Sequence, residues 1–331
     1  HQKNYDNAIK MYKKAILLDP NYKEAYYNLG HCYLFNKDFK KGFELYEYRF
    51  ESMIKSFFKM ILSIQLNYWN GINEAKRIII VFEQGFGDIF MFFRFIIPLK
   101  KKYPSIQFDF LCPKKVAHLL VPIIPIYYSD VLIHEYDYKL PLLSIPHILQ
   151  LTNITPYTDD LYIQTNHDKN TYWKTQLASL KNYKIGICWK GNTIINIDKH
   201  IPLELLKSIS DLNVDLICLQ KNDGGEELQN ISFKDKIHVF DIDIQEAFTD
   251  TIAIMQNIDL LITVDTSLVH LAGLLGVKTW LALGYVSEWR WGIDGSNTYW
   301  YDSVKVFRSK IQNNWTDVLD EMKNELNNSI L

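Results

Sequence analysis

Short, uninterrupted apolar runs alternate with helical segments along most of the chain. The run IIIVF at 78–82 is followed by the turn EQGFGD, by the helical segment IFMFFRFIIPLKK, and then by the run SIQFDFLC. Strands that are apolar on both faces are typical of parallel sheets covered on both sides, and parallel strands need a long crossover between them. The pattern therefore predicts βαβ units and an α/β fold.

The same alternation starts again near residue 183, so we predict two Rossmann-like halves. The strand-like runs of the second half are YKIGICW, VDLICLQ, KIHVF, DLLITV and KTWLAL. We place the N-terminal half at 76–165, the C-terminal half at 182–308, a linker at 165–182 and an amphipathic helix at 309–331. Two such halves facing each other make a cleft, and ligands of open parallel sheets bind beyond the carboxyl ends of the strands.

The first 52 residues show self-similarity at a spacing of 34. Small residues at such a spacing let antiparallel helices approach, and aromatic residues fill the gap between them, as in tetratricopeptide repeats. We predict one and a half repeats at 1–52, with helices near 4–18, 22–35 and 38–50, followed by a helical linker at 53–75. The matching positions are Ala8, Tyr12 and Ala15 in the first unit and Gly42, Tyr46 and Arg49 in the second.

Arg49 stands where a small residue is expected, which indicates a terminal, capping repeat. So short an array cannot bury a continuous face alone. The repeats could bind a partner or an acceptor, or they could form a structural collar on the next domain.

The composition is that of an ordinary globular protein. Of the 331 residues, 48% are hydrophobic and 22% are charged, and the net charge of −2 gives no reason to expect a nucleic acid partner. No signal peptide is visible, and no apolar stretch reaches the length of a membrane span. The four cysteines form no C-x-x-C pair, so we predict buried thiols in a reducing cytoplasm. Because the chain begins at His1 without a Met, we expect an N-terminal part to be missing.

Glycines and an acid follow the first predicted strand. Gly85, Gly87 and Asp88 form only part of a dinucleotide-binding fingerprint, although Asp109 lies about where a ribose-binding acid would be. Alternatively, the glycines let the backbone approach a substrate and Asp88 is a general base. Asp88 could also simply cap the following helix.

Polar residues also follow the strands of the second half. Lys199 lies near a helix start, where a cation is favourable only if an anion binds there too. Asp265, Thr266 and Ser267 open another helix, whose first amides are a ready anion site, and His270 lies on the same helical face. A solvated lysine, a capping acid and a core histidine would explain the same residues one by one.

The chain resembles bacterial tetratricopeptide-repeat glycosyltransferases, whose catalytic part is similar to glycosyltransferase family 9, the heptosyltransferase family. The resemblance rests on stretches that span nearly the whole chain after the repeats: 83–96, 141–149, 188–192, 198–206, 248–253, 264–276 and 288–301. It implies a GT-B fold, an acceptor bound mainly by the first half, and a nucleotide-sugar bound by the second half.

The resemblance also implies roles for particular residues. Asp88 is the implied catalytic base, and Lys199 is the cation that stabilises the departing diphosphate. The other implied substrate contacts are Gly85, Gly87, Lys190, Gly191, Asn192, Gln220, Asp265, Thr266, Ser267 and His270. Relatives often carry an arginine-rich loop before the I-P-L-E helix, whereas this chain has IINIDKH.

The implied enzyme uses the nucleotide-sugar as co-substrate and needs no cofactor or metal. Asp241 and Asp243 form a D-x-D pair of the kind that binds a divalent ion in the other glycosyltransferase fold. The implied acceptor is a protein or a glycan.

Three alternatives stay open. The chain could be a non-catalytic repeat scaffold fused to a degenerate nucleotide-sugar-binding module. The run FMFFRFIIPLKKKYP could lie on a membrane surface, since it places apolar residues beside a basic cluster, or it could be a buried helix. An aromatic cluster could stack on a sugar or pack in the core: Trp289, Arg290, Trp291, Trp300 and Tyr301.

Overall fold

A computed structural model of the chain describes residues 5–52, 59–128, 133–156, 162–191, 199–221, 223–312 and 314–330. The chain divides into two compact units. Unit 1 comprises His1–Thr155 and the separate segment Glu288–Asp294, and unit 2 comprises Pro156–Ser287 and Gly295–Leu331. None of the helices in the described part of the chain has the length and apolar character needed to cross a bilayer.

Unit 1 begins with the helices α1 (Tyr5–Leu18), α2 (Lys23–Phe35) and α3 (Phe39–Tyr46), and α3 continues into a 3₁₀ turn at Glu47–Phe50. Two glycines let α2 and α3 pack closely. A Cβ atom on Gly30 would lie 3.0 Å from the backbone of Tyr46, and one on Gly42 would lie 2.6 Å from Leu34 Cδ2. The small residues of the repeat pattern are therefore required by contact between these two helices.

Arg49 does not end a repeat array at a solvated surface. Its side chain is fully buried and forms a two-pronged ion pair with Glu83, with N–O distances of 2.8 and 2.9 Å. It also donates to Ser144 Oγ at 2.8 Å. Burial raises the pKa of the Glu83 carboxyl, and the bonds from Arg49 oppose that rise. The repeat segment is thereby fastened to the sheet that follows it, as the collar alternative requires.

A parallel sheet forms the rest of unit 1, with the strand order β3-β2-β1-β4. The strands are β1 (Arg77–Val81), β2 (Gln107–Leu111), β3 (Ile126–Tyr127) and β4 (Tyr138–Pro141). The helices are α4 (Lys59–Ser63), α5 (Phe86–Phe92), α6 (Ile96–Lys102), α7 (Lys114–Ala117) and α8 (Ile145–Ile148).

The helix predicted over 89–101 is interrupted by a 3₁₀ turn at Phe93–Phe95. Pro98 explains the break, because proline has no amide hydrogen and its ring clashes with the carbonyl four residues earlier. Phe90, Phe92 and Leu99 are fully buried. The apolar part of this run therefore belongs to the core of unit 1, and the membrane-surface interpretation is not supported.

Unit 2 contains a parallel sheet with the strand order β10-β9-β8-β5-β6-β7, the order of a dinucleotide-binding Rossmann fold. Its strands are β5 (Tyr183–Cys188), β6 (Val214–Cys218), β7 (Ile237–His238), β8 (Leu260–Val264), β9 (Thr279–Leu283) and β10 (Val304–Arg308). Its helices are α9 (His167–Gln176), α10 (Lys207–Ser210), α11 (Thr249–Met255), α12 (Ser267–Leu274) and α13 (Thr316–Ile330).

The region proposed as an inter-half linker contains a packed helix. Within α9, Trp173 is buried and donates from its indole nitrogen to Asp250 at 2.8 Å, and Lys169 forms an ion pair with the same carboxylate. This helix packs within unit 2. At the other end of the unit, the amphipathic α13 forms as predicted and buries Val318 and Met322 in the core of unit 2.

Candidate functional site

The order of the strands in unit 2 reverses between β5 and β8. From β5 the chain proceeds to β6 and β7 on one side, and β8, β9 and β10 continue on the other. Open parallel sheets bind ligands at such a reversal, outside the carboxyl ends of the strands. The residues that follow β5 and β8 are Trp189–Gly191 and Asp265–Ser267, so the candidates Lys190, Gly191, Asp265, Thr266 and Ser267 lie at this point.

Lys199 lies at the turn that follows β8. Its ammonium group is 2.9 Å from Asp265 Oδ2, and the two side chains are 18% and 10% exposed. Its carbonyl accepts a 2.7 Å hydrogen bond from the amide of Gly191. A Cβ atom on Gly191 would lie 3.3 Å from the carbonyl oxygen of Asp265 and 3.4 Å from Thr266 Cγ2. Gly191 therefore permits the close approach of the two loops.

The helix α12 begins directly beyond this ion pair. Thr266 is the N-cap, and its hydroxyl accepts from the amide of Leu268 at 3.3 Å. Ser267 is the first helical residue. The first turn of a helix carries amide hydrogens that have no partner within the helix, and it has a positive electrostatic potential. The start of the helix and the Lys199 ammonium group thus lie close together, with the Asp265 carboxylate partly offsetting the charge of the lysine.

His270 lies on the buried side of α12. It is 4% exposed, and its Nδ1 atom is 3.1 Å from the hydroxyl of Tyr301. Gly273, one turn later, packs so closely on the ring of Tyr301 that a Cβ atom would lie 2.3 Å from it. This environment favours a core histidine that holds α12 in place over a phosphate contact.

Gln220 and Lys190 shape the neighbouring loop. The Gln220 amide oxygen accepts from the backbone of Trp189 and Lys190, and its nitrogen donates to the carbonyl oxygens of Lys190 and Asp223. Lys190 Nζ is 3.2 Å from Glu226 Oε1. Both ends of the Gln220 amide are thus engaged with backbone, which favours a role in holding the loop. Asn192 and most of the arginine-poor loop lie outside the described residues.

In unit 1, Asp88 is the third residue of α5, and the N-cap is Gly85. Asp88 Oδ2 accepts a 3.1 Å hydrogen bond from the amide of Gly85. The Asp88 side chain thus reaches back from the first turn to the N-cap residue. Only Oδ2 makes this hydrogen bond. A Cβ atom on Gly85 would find only that oxygen, at 3.7 Å. Gly87 is the second residue of the same helix.

The other oxygen of Asp88 contacts a residue that the sequence did not connect with it. Arg290 Nη2 donates to Asp88 Oδ1 at 2.5 Å, and Arg290 Nη1 donates to Glu288 at 2.6 Å. Arg290 belongs to the segment that unit 1 takes from late in the chain. Since 202 positions separate the two residues, no local pattern could have paired them.

Asp109 does not act as a ribose-binding acid here. It is fully buried within β2, where its carboxylate is 2.8 Å from Arg77 Nη2 and accepts from the Tyr136 hydroxyl at 2.8 Å. These contacts account for the acid inside the strand and remove support for the nicotinamide alternative.

The D-x-D pair has a structural explanation. Asp243 Oδ1 accepts from the amides of Asp250 and Thr251, at 2.7 and 3.1 Å, and so holds the start of α11. Among the described residues, no group of three or more His, Cys, Asp or Glu side chains is arranged to hold a metal ion.

Four of the five aromatic residues of 289–301 are core residues, and Tyr299 is partly buried. Trp289 packs edge to face on Phe43, with ring centroids 5.8 Å apart, and Tyr301 packs against His270. The four aromatic side chains are at most 2% exposed: Trp289, Trp291, Trp300 and Tyr301. Stacking of these rings on a sugar is therefore not supported.

A cavity of about 640 Å³ lies in unit 1 at the amino ends of the strands, where Trp69, Tyr103 and Asp137 line it. It contains none of the candidate residues. Because ligands of parallel sheets bind at the opposite, carboxyl ends, we place the candidate site at the loops described above.

Comparisons with known proteins agree with both parts of the architecture. Residues 1–35 match the TPR repeat family. Protein FlbA of Caulobacter vibrioides is 22% identical over 315 residues, which cover 86% of this chain and 52% of FlbA. The chain thus spans about half the length of the curated relative that it matches.

Among solved structures, the ADP-heptose LPS heptosyltransferase II of E. coli superimposes with a TM-score of 0.52 at 14% identity. The match covers 76% of this chain and 99% of that chain. At this identity the likeness shows the fold, and it confirms the predicted GT-B architecture of two Rossmann-like units behind a repeat segment.

Proposed function

We propose that the chain is a glycosyltransferase that moves a sugar from a nucleoside diphosphate donor to a protein or glycan acceptor. The observation that carries the proposal is the position of Lys199, whose ammonium group lies at the start of α12 where the strand order of unit 2 reverses. We assign donor binding to unit 2 and acceptor binding mainly to unit 1.

The charge at this position suits a diphosphate. The amino end of α12 attracts an anion through its first amides, and Lys199 brings an ammonium group beside it, whose charge Asp265 partly offsets. Asp265 holds the lysine in place and could accept a hydrogen bond from a ribose or sugar hydroxyl. As the bond to the sugar breaks, negative charge develops on the diphosphate, and fixed positive charge stabilises it most in that state.

Asp88 is the proposed base. An acceptor hydroxyl gives its proton to the carboxylate as its oxygen forms a bond to the anomeric carbon of the sugar. The bond from that carbon to the donor phosphate breaks, and its electron pair leaves with the nucleoside diphosphate. Lys199 and α12 supply the positive charge of the reaction, so no divalent ion takes part in this scheme.

The four buried, free cysteines suit a reducing cytoplasm.

The donor site is tested by Lys199→Met. We expect nucleoside diphosphate binding to weaken about 10- to 100-fold, the value of one hydrogen bond to a charged group. Isothermal titration with a panel that starts with ADP, the nucleotide named for the E. coli neighbour, measures it. Lys207→Met is the matched control, since that side chain is half exposed and forms an ion pair with the equally exposed Asp211. Equal affinities of the two variants would contradict the site.

The base is tested by Asp88→Asn. We expect donor binding to persist while transfer falls by about 10²- to 10⁴-fold, as loss of a general base does. Mass spectrometry of the acceptor after incubation with a nucleotide-sugar panel measures transfer. Full transfer by Asp88→Asn would remove the base assignment. Donor binding by the unaltered chain, without transfer to any acceptor, would favour the scaffold alternative instead.

A further inference from the structure

The carboxylate of Asp88 is held from both sides. Gly85 donates to Oδ2 at 3.1 Å, and Arg290 donates to Oδ1 at 2.5 Å. The Asp88 and Arg290 side chains are only 15% and 8% exposed, so solvent screens their attraction weakly. A carboxylate oxygen has two lone pairs, and each oxygen of Asp88 can therefore still accept a proton.

The loop that carries Arg290 is anchored on the repeat helix α3. Trp289 packs edge to face on Phe43, and its ring centroid is 6.5 Å from that of Tyr46. The guanidinium of Arg290 lies 5.1 Å from the ring of Trp289. Since the indole is 1% exposed, this turn is fixed by packing, and the arginine beside it is aimed at Asp88.

The loop that carries Asp88 is anchored on the same helix. Gln84 donates from Nε2 to the hydroxyl of Tyr46 at 2.8 Å, and Glu83 binds Arg49. Gln84 has a φ of 59°, a backbone conformation that costs a non-glycine residue energy unless its surroundings enforce it. Tyr46 thus contacts both loops, one through its hydroxyl and the other through its ring.

We propose that Arg290 is the positioning residue of Asp88, and that the repeat helix α3 holds the two partners in register through Tyr46. The inference rests on the proposed function, because it needs Asp88 to act in transfer. It gives the repeat segment a role in the reaction that is separate from any binding of an acceptor along its surface. Burial, and after it the charge of Arg290, lowers the pKa of His31 in α2, so this cation also lies near the repeat helix α2.

The first test compares Arg290→Gln with Arg290→Lys. We expect Arg290→Gln to lower kcat by about 100-fold, the effect of misplacing a reacting group by about an ångström. The KM for the donor should stay unchanged, because unit 2 binds it. Arg290→Lys keeps the charge and should recover part of the loss. A merely structural role would not produce this separation of kcat from KM or this rescue.

A double-mutant cycle separates this inference from the proposed function. In an Asp88→Asn background, Arg290→Gln should change the residual rate by less than about twofold, because residues that act as a unit are not additive. If Arg290→Gln lowers the rate equally in both backgrounds, or raises kcat in the unaltered chain, the positioning role is wrong. If Asp88→Asn alone transfers sugar at full rate, it is the proposed function that fails.

The link to the repeats is tested by Tyr46→Phe, which removes the hydroxyl that Gln84 binds and keeps the ring that packs on Trp289. We expect kcat to fall about tenfold, a smaller loss than in Arg290→Gln because only one of the two loops is released. Tyr48→Phe is the control, because it removes a hydroxyl from a neighbouring ring of the repeat segment. That ring stacks on Tyr26, with centroids 4.5 Å apart. Equal kcat values for the two variants, at equal melting temperatures, would refute the coupling through α3.

Discussion

At the scale of single residues, the environment of His31 makes stability depend on pH. Burial, followed by the charge of Arg290, lowers the pKa of His31 from 6.5 to about 4. Between pH 4 and 6.5 the unfolded chain binds a proton at His31 and the folded chain does not. The contribution of the neutral His31 to the free energy of unfolding is therefore complete above pH 6.5 and is lost as the pH falls towards 4. The full loss is about 3 kcal/mol.

We therefore expect His31→Gln to flatten the decline of the unfolding free energy between pH 6.5 and 5, measured by urea denaturation. His167→Gln, at an exposed position, is the control for the change of histidine to glutamine itself. A wild-type slope in His31→Gln would show that His31 is not held neutral.

Some site residues could be predicted from the sequence and others could not. Lys199 and Asp265 follow predicted strands, and parallel strands bring their carboxyl ends to one edge of a sheet, so their proximity follows from the fold. Arg290 carries no such signal, because its partner lies 202 positions away in another element. The contacts of Gln220 depend on how two loops meet, which residue type alone does not specify.

At the scale of elements, the packing of α2 on α3 predicts the effect of a single methyl group. Gly42→Ala would place a Cβ atom 3.0 Å from the backbone nitrogen of Leu34, and backbone cannot move aside cheaply. We expect overpacking to lower the free energy of unfolding by about 1–3 kcal/mol. The higher helix propensity of alanine should offset about 1 kcal/mol of that decrease. Thermal unfolding measures it, and Gly225→Ala is the control, because a Cβ atom there meets open space. A variant as stable as the control would contradict the close contact.

Regular elements were predictable where the pattern was long and consistent. The repeat helices, the strands β1 and β8 and the helix α13 follow their periodicities closely. The strands β3 and β4 were not foreseen, because two to four residues with partly polar character give no periodic signal. The helix α9 falls within the predicted linker because its sequence is mostly polar, and the buried Trp173 decides its packing.

At the scale of the whole molecule, the repeat segment and the first sheet are predicted to unfold together. Arg49→Met would leave the Glu83 carboxylate buried without its partner. We expect the free energy of unfolding to fall by about 3–5 kcal/mol. Adding Glu83→Gln removes that charge and keeps an acceptor for the amide of Leu143, so the double variant should recover part of the loss. Differential scanning calorimetry measures both. A double variant no more stable than Arg49→Met would show that the buried charge is not the cause.

The fold class was predictable because two sets of alternating strand and helix signals allow few topologies. The membership of Glu288–Asp294 in unit 1 was not, since sequence order places this segment deep in the second half. Its two tryptophans indicate burial, but they do not indicate which unit buries them.

The segment Glu288–Asp294 determines when unit 1 can be completed during protein synthesis. A ribosome adds about 5–20 residues each second. Arg290 lies 202 positions downstream of Asp88, so it is synthesised roughly 10–40 s later. A nascent chain released early, with all of 1–155 translated, would carry the carboxylate without the guanidinium that binds it. Completion of unit 1 therefore requires that most of unit 2 has already been synthesised. Under the proposed function, a product truncated before Arg290 would lack activity.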